Sequence, residues 1–345
     1  MRILFVAEYY PPVVLGGAEI SLRTMARELA KRHAVSVLTP NYHGTARAER
    51  KDGRVSVIEY PSIRRFFFAR RGVSRAMQRT SMPAFRAGLS LIEKIFAREM
   101  ARAIEREASG FDVVHSNNRE SLMALDMANI SAKKIAHIRD ARPLPRTKNV
   151  SRFMTVSDFL KSKFSSAGRV VRVYNPVDVR SFTLSEKGDF ILFVGSLTKD
   201  KGTAFLPDIA ARTGKTLVAL GDGPEKEALK KRGIAVETGD VRSFYARAPF
   251  LLVPSQWEEG FGRVVVEGQA SGCVVIATRK GALPELIKNG KTGFLVDDAE
   301  EMASIITKLK KTERKRISAA SVKASKAFSP EKIAALMEKA YGELA

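Results

Sequence analysis

Cysteine is almost missing from this chain: 345 residues hold one, Cys273. No internal disulfide can form, and a thiol set in the apolar run Cys273-Val274-Val275-Ile276-Ala277 is shielded rather than reactive. That excludes a disulfide-stapled scaffold and makes a reducing compartment, the cytoplasm, the expected location. Histidine is scarce too, and its four copies show no Cys/His spacing of the zinc-binding kind. Long apolar runs are lacking. Nowhere do eighteen apolar residues follow one another, and Met1-Arg2-Ile3-Leu4-Phe5-Val6-Ala7 meets Glu8 too soon for the apolar region of a signal peptide. The expectation is a soluble or peripheral protein without a membrane span. Internal repeats and low-complexity tracts are also absent.

Acidic residues are few beside basic ones, 37 against 59, for a net charge of +22. The imbalance is concentrated: residues 1–180 hold 33 Lys and Arg against 16 Asp and Glu, a net +17, which leaves +5 for the rest. Such a surplus points the first half toward a polyanionic or anionic-membrane partner and says nothing about fold. Between residues 64 and 106 there are eleven basic and three acidic side chains, and Arg64-Arg65-Phe66-Phe67-Phe68-Ala69-Arg70-Arg71 sets three rings between cations. That arrangement suits an interfacial segment, rings at the acyl boundary and cations at headgroups. It equally suits two helices packing phenylalanines inward with arginines in water. No DNA- or RNA-binding motif accompanies it, so nucleic acid is not an expected partner.

What is present is an α/β pattern, in a chain long enough for two such domains. Arg2 to Ala7 predicts a strand, the loop through Gly16-Gly17-Ala18-Glu19 leads into a helix reaching about Arg32, and Val35 to Thr39 predicts the next strand. Strand, glycine turn, helix, strand opens a doubly wound parallel sheet, whose ligands bind at strand C-termini. Phe111 to Asn117 and Ile135 to Asp140 read as further strands, ending in His115-Ser116-Asn117 and His137-Ile138-Arg139-Asp140, and Phe153 to Ser157 follows. Val173-Tyr174-Asn175-Pro176-Val177-Asp178 is the linker candidate. The pattern then restarts with Phe190 to Val194, Gly195-Ser196 and Lys199-Asp200-Lys201-Gly202. A strand ending in glycine with a lysine soon after offers backbone N–H groups and an ammonium to a diphosphate.

The densest signal is Ser255-Gln256-Trp257-Glu258-Glu259-Gly260-Phe261-Gly262-Arg263-Val264-Val265-Val266-Glu267. The apolar run Leu251-Leu252-Val253-Pro254 precedes it as a buried strand, and Arg263 to Ser271 has helical spacing. Glu259 falls in the turn and Glu267 about two helical turns further, within reach of different parts of one ligand. Gly281-Ala282-Leu283-Pro284-Glu285 and Gly293-Phe294-Leu295-Val296 continue the run.

Taken together, these motifs resemble the family-4 retaining glycosyltransferases: Glu-x7-Glu, then Ala-x-Gly-x-Pro-Val-Ile-Ala, Gly-Gly-x-x-Glu and a late Gly-x-Leu-Val. The likeness is strong from 190 to 297, moderate at the Gly16-Gly17 loop and weak from 40 to 110. It implies the GT-B fold, two Rossmann-like doubly wound domains facing across a cleft: residues 1–177 as acceptor domain, 178–329 as donor domain, and a terminal helix, 330–345, packing back on the first. It also implies sugar transfer from a UDP- or GDP-linked donor to a glycan or lipid-linked acceptor, with no cofactor and no metal. Carried over residue by residue, Lys201 neutralises the leaving diphosphate, Glu259 contacts the sugar, Glu267 accepts from the ribose, and His115 joins the chemistry. Gly16, Gly17, Gly195, Ser196, Gly260, Phe261, Gly262 and Arg263 complete the donor site; Arg139, Asp140 and Ser157 face the acceptor. The chain departs from the pattern at Asn117 (a second histidine in the family), Pro176 (glycine), Ser196 (arginine) and Val274 (proline). Left open beside this reading are a GT-B epimerase or phosphorylase, and a non-enzymatic basic module that binds polyanions.

Overall fold

A computed structural model describes the backbone of residues 1–64 and 83–343 and the side chains of 1–64 and 91–343. The chain divides into two compact units. The first holds Met1–Val156, Lys161–Val173 and the chain from Ala334 onward; the second holds Ser157–Leu160 and Tyr174–Ile333.

In the first unit, strands β1 (Arg2–Val6), β2 (Ala34–Asn41), β3 (Ala48–Asp52), β4 (Val55–Pro61), β5 (Val113–Ser116), β6 (Lys133–Ile138), β7 (Arg152–Thr155) and β8 (Arg169–Arg172) form one sheet. Its order is β3-β4-β2-β1-β5-β6-β7-β8, parallel except where β3 runs antiparallel along β4. Ile3, Leu4, Phe5 and Val6 are buried on both faces, as a parallel sheet covered by helices requires. The second unit repeats the plan with β9 (Phe190–Val194), β10 (Thr216–Leu220), β11 (Ala235–Glu237), β12 (Phe250–Val253), β13 (Val274–Thr278) and β14 (Phe294–Val296). The order β11-β10-β9-β12-β13-β14 is the doubly wound order, which reverses between β9 and β12; in the first unit it reverses between β1 and β5. Ligands of such sheets bind outside the strand C-termini at that reversal.

The last helix, Pro330–Glu343, buries Ile333, Ala334, Met337, Ala340 and Tyr341, one stripe at helical spacing. Its Glu338 accepts from Arg32 (2.9 Å) and lies 2.8 Å from His33, at the end of the helix Gly17–Leu29. Among the described residues no helix is long and apolar enough to cross a membrane.

Arg65 to Arg71, and the sequence on to Met82, lie outside the described residues. Arg64 does not, and its place corrects the interfacial expectation for this side chain. It is buried, its guanidinium lies 4.3 Å from the centre of the Phe96 ring, and it pairs with Glu120. A cation on an aromatic face and beside a carboxylate is held by the core, out of reach of a headgroup.

Candidate active site

In the second unit the loops after β9 and β12, neighbours at the sheet's reversal, bring together residues 58 apart. Lys201 Nζ donates to Glu259 Oε1 at 2.7 Å, and Ser255 Oγ donates to the same oxygen at 2.7 Å. The pair is partly open, with side chains 30% and 15% exposed, so the ammonium keeps hydrogens for an external anion. Two glycines permit the approach. Gly202 follows the 3-10 turn Lys199–Lys201 with φ of 75°; any Cβ there would strike the Pro254 carbonyl. Gly281, at φ 57°, lies against the backbone of Glu259, whose carbonyl accepts from Ala282 N at 2.8 Å. Asp200 O meanwhile accepts from Gln256 N (2.7 Å) and Trp257 N (3.2 Å), sewing the two loops together.

Glu267 lies on the helix Arg263–Ala270, as its spacing predicts. Oε1 accepts from Arg263 Nε at 2.6 Å and Oε2 from the buried Tyr245 hydroxyl at 3.1 Å. These bonds hold the carboxylate while leaving lone pairs for ligand hydroxyls. Arg263 also donates to Pro176 O at 3.0 Å, so it is placed as a clamp on Glu267. Gly195 differs from the expected diphosphate grip: its N–H donates to Leu220 O, and that of Leu197 to Asp222 O. Ser196 is exposed and Gly260 buried. Phe261 is a buried wedge against Phe328 and Tyr174, ring centres 5.6 and 5.9 Å away, and Gly262 precedes the helix with φ of 92°.

The first unit's candidates separate. Gly16 and Gly17 are exposed, but Gly16 N–H already donates to Glu19 Oε2 at 2.8 Å, and burial raises the pKa of the Glu19 carboxyl. His115 corrects a sequence expectation. It is wholly buried, with Nδ1 3.0 Å from Tyr341 OH and Nε2 3.1 Å from His137 Nδ1, so no ring atom is left to meet substrate. Burial, and then the charge of Arg139, pull its pKa down to about 3. The same two causes, with His115 itself, lower His137. Arg139 is half-buried and donates from Nε to Asn117 Oδ1 at 2.7 Å. Asp140 pairs with Arg142 at the surface. Ser157, which belongs to the second unit, is buried, and its Oγ accepts from Leu160 N at 3.1 Å. Cys273 is buried, its thiol pushed up to about 12 by burial, as an inert cysteine should be. Among the described residues no three His, Cys, Asp or Glu side chains converge as a metal site needs.

Sequence reading missed Ser255, Tyr245, His137 and Tyr341. Ser255 had a signal, its position four residues before Glu259. The two histidines at neighbouring strand ends also had one, since they are half of the four in the chain. Nothing local marked Tyr341.

The sheet reversal of the second unit thus carries a lysine–glutamate pair, with a second anchored glutamate on the following helix. The family described as Glycosyltransferase Family 4 matches residues 15–181, and that described as Glycosyl transferases group 1 matches residues 188–312. Together they take in most of the chain, and the protein belongs to the group 1, family 4 glycosyltransferases, enzymes of GT-B fold. It is 28% identical to an uncharacterized glycosyltransferase of Methanocaldococcus jannaschii, over 100% of this chain and 99% of that protein. A GDP-mannose-dependent alpha-(1-6)-phosphatidylinositol monomannoside mannosyltransferase of Mycolicibacterium smegmatis is 25% identical, over 86% of each. Among solved structures, Anabaena HepE in complex with UDP-glucose superposes with a TM-score of 0.73 at 18% identity, covering 99% of this chain and 100% of that one. At that identity the likeness concerns the fold.

Proposed function

We propose that the protein is a retaining, metal-independent glycosyltransferase that moves a sugar from a nucleotide-diphosphate sugar to a glycan or lipid-linked acceptor. The second unit holds the donor and the basic first unit reads the acceptor. The observation that carries this reading is the Lys201–Glu259 contact beside the anchored Glu267. As the bond between the anomeric carbon and the diphosphate breaks, the electron pair stays on the phosphate oxygen, and the Lys201 ammonium meets that charge. Ser255 keeps Glu259 in place as the lysine turns toward phosphate, leaving the carboxylate to contact the sugar. Glu267 accepts from the ribose hydroxyls. The acceptor oxygen bonds to the anomeric carbon on the face from which the diphosphate left, and its proton passes to that diphosphate.

The reading is tested by screening UDP- and GDP-linked sugars for calorimetric binding and slow hydrolysis, then following the anomeric signal of the product by NMR. An α-linked donor should yield an α product, and an inverted product would refute retention. Turnover should also continue in EDTA. Full loss there, restored by magnesium or manganese, would mean the leaving group depends on a metal.

The charge of +17 in residues 1–180 and the lipid named for the mycobacterial relative favour an acceptor presented at an anionic membrane surface on the cytoplasmic side. Binding to vesicles containing phosphatidylglycerol should exceed binding to neutral ones and weaken with salt, which screens charges over about 8 Å at physiological strength. Replacing Arg65, Arg70 and Arg71 with serine should weaken it further; Arg64 is spared because removing it would break a buried pair. Binding indifferent to salt, or none, would favour a soluble acceptor.

A further inference from the structure

The positive charge of residues 181–345 is gathered in one place. Residues 308–326 hold eight Lys and Arg against one acid, Glu313, a net +7, so the remainder of that half sums to −2. Most of this stretch is the helix Lys311–Ser325 of the second unit. Its inner stripe is narrow: Ile317, Ser321 and Ser325, spaced by four, are buried. Ser318 Oγ donates to Gly272 O at 2.8 Å, and the Arg314 guanidinium lies 5.9 Å from the centre of the Phe250 ring. The side turned away from that stripe carries Lys311, Lys315, Arg316 and Lys323, continued by Lys326 just past the last turn, and all five are exposed. Thr312 and Ala319 lie between them, and no carboxylate does. This arrangement works against the helix itself. Lys310 is the N-cap and makes no side-chain capping bond. Lys310 and Lys311 stand at the positive end of the helix dipole, and Lys311 and Lys315 repel each other one turn apart. A local cost with no local compensation is what a surface shaped for an external anion shows.

We propose that this face of the second unit docks on an anionic lipid surface, Lys311, Lys315, Arg316, Lys323 and Lys326 meeting the headgroup phosphates. The proposal rests on the reading of a membrane-presented acceptor and gives the donor-holding unit a membrane contact of its own. The contact is electrostatic adsorption without insertion, because the face presents no large exposed apolar side chain. Its cations extend over about 20 Å of helix, and in a fluid bilayer anionic headgroups can gather beneath each of them. Nucleic acid fits the same face less well, since no aromatic ring stands among the cations for a base to stack on.

The test uses the full chain with Lys311, Lys315, Lys323 and Lys326 replaced together by serine; Arg316 is kept because its Nη2 donates to Gly290 O at 3.1 Å. Sedimentation with vesicles containing phosphatidylglycerol should show affinity falling about fivefold for each lysine removed, while the four lysines replaced by arginine should bind as the wild type does. The thermal midpoint of the serine variant should hold or rise, because the repulsion at the helix N-terminus is relieved, and so lost binding is not lost folding. Wild-type affinity in the serine variant would overturn the proposal. If binding then falls only on replacing Arg65, Arg70 and Arg71, the membrane reading stands on the first unit alone; if the wild type itself ignores the vesicles, that reading and this one fail together. Vesicle binding unchanged while retention of a DNA duplex is lost would also overturn it, and would make the helix a nucleic-acid surface.

Discussion

Turnover of the nucleotide sugar should fall about 100- to 1,000-fold when Lys201 is replaced by methionine, the usual cost of removing one preorganised group from a developing oxyanion. The lysine is the charged group that the loops after β9 and β12 bring against Glu259, and Gly195 and Leu197 have already spent their backbone N–H groups on the neighbouring loop. Those two N–H groups are therefore not free to take over the charge. Folding should suffer far less, because a partly exposed ion pair contributes roughly 0–1 kcal/mol, and Ser255 remains to hold Glu259. The two effects separate in one comparison of thermal midpoint and turnover. Near-normal turnover in a folded Lys201→Met protein would remove the lysine from the leaving-group role.

Loss of nucleotide affinity is the second large effect, expected for Glu267→Ala. Each ribose hydrogen bond to a carboxylate is worth on the order of 1.5 to 3 kcal/mol, so the Kd for UDP or GDP should rise about tenfold or more for each bond lost. The substitution also strips acceptors from Arg263 and the buried Tyr245 hydroxyl. A fall in stability is expected too, and affinity must be measured below the lowered midpoint. Tyr245→Phe supplies the contrast: it keeps the carboxylate but frees one side of it, and should weaken binding less. Calorimetry that finds the same Kd in folded Glu267→Ala and wild type would end the ribose assignment.

Much of this molecule was legible because its signals are local. The run Arg2 to Ala7 is apolar throughout because a parallel strand is covered on both faces, and Ile3 to Val6 are buried accordingly. Glu259 and Glu267 fall in a turn and on a helix because the Gly-Phe-Gly break and the spacing after Arg263 permit little else. The two-domain α/β class followed from strand, glycine turn and helix occurring, then recurring after residue 190. Such statements need only neighbours in the chain.

The remainder depended on residues far apart in sequence. Lys201 meets Glu259 because β9 and β12 are adjacent in the sheet although β10 and β11 lie between them in the chain. No spacing rule predicts that adjacency at the level of one hydrogen bond. His115 read as a strand-end histidine facing ligand; whether its ring pointed to solvent or inward was settled by Tyr341, 226 residues away. Arg64 read as a headgroup cation and is held instead by Phe96 and Glu120. Periodicity and turn chemistry act over a few residues and so write themselves into the chain. Burial and partnership are set by packing between distant segments, and the side chain's own type cannot reveal them: a histidine or arginine is stable in water or in a satisfied interior, and only the neighbours brought by folding choose between the two.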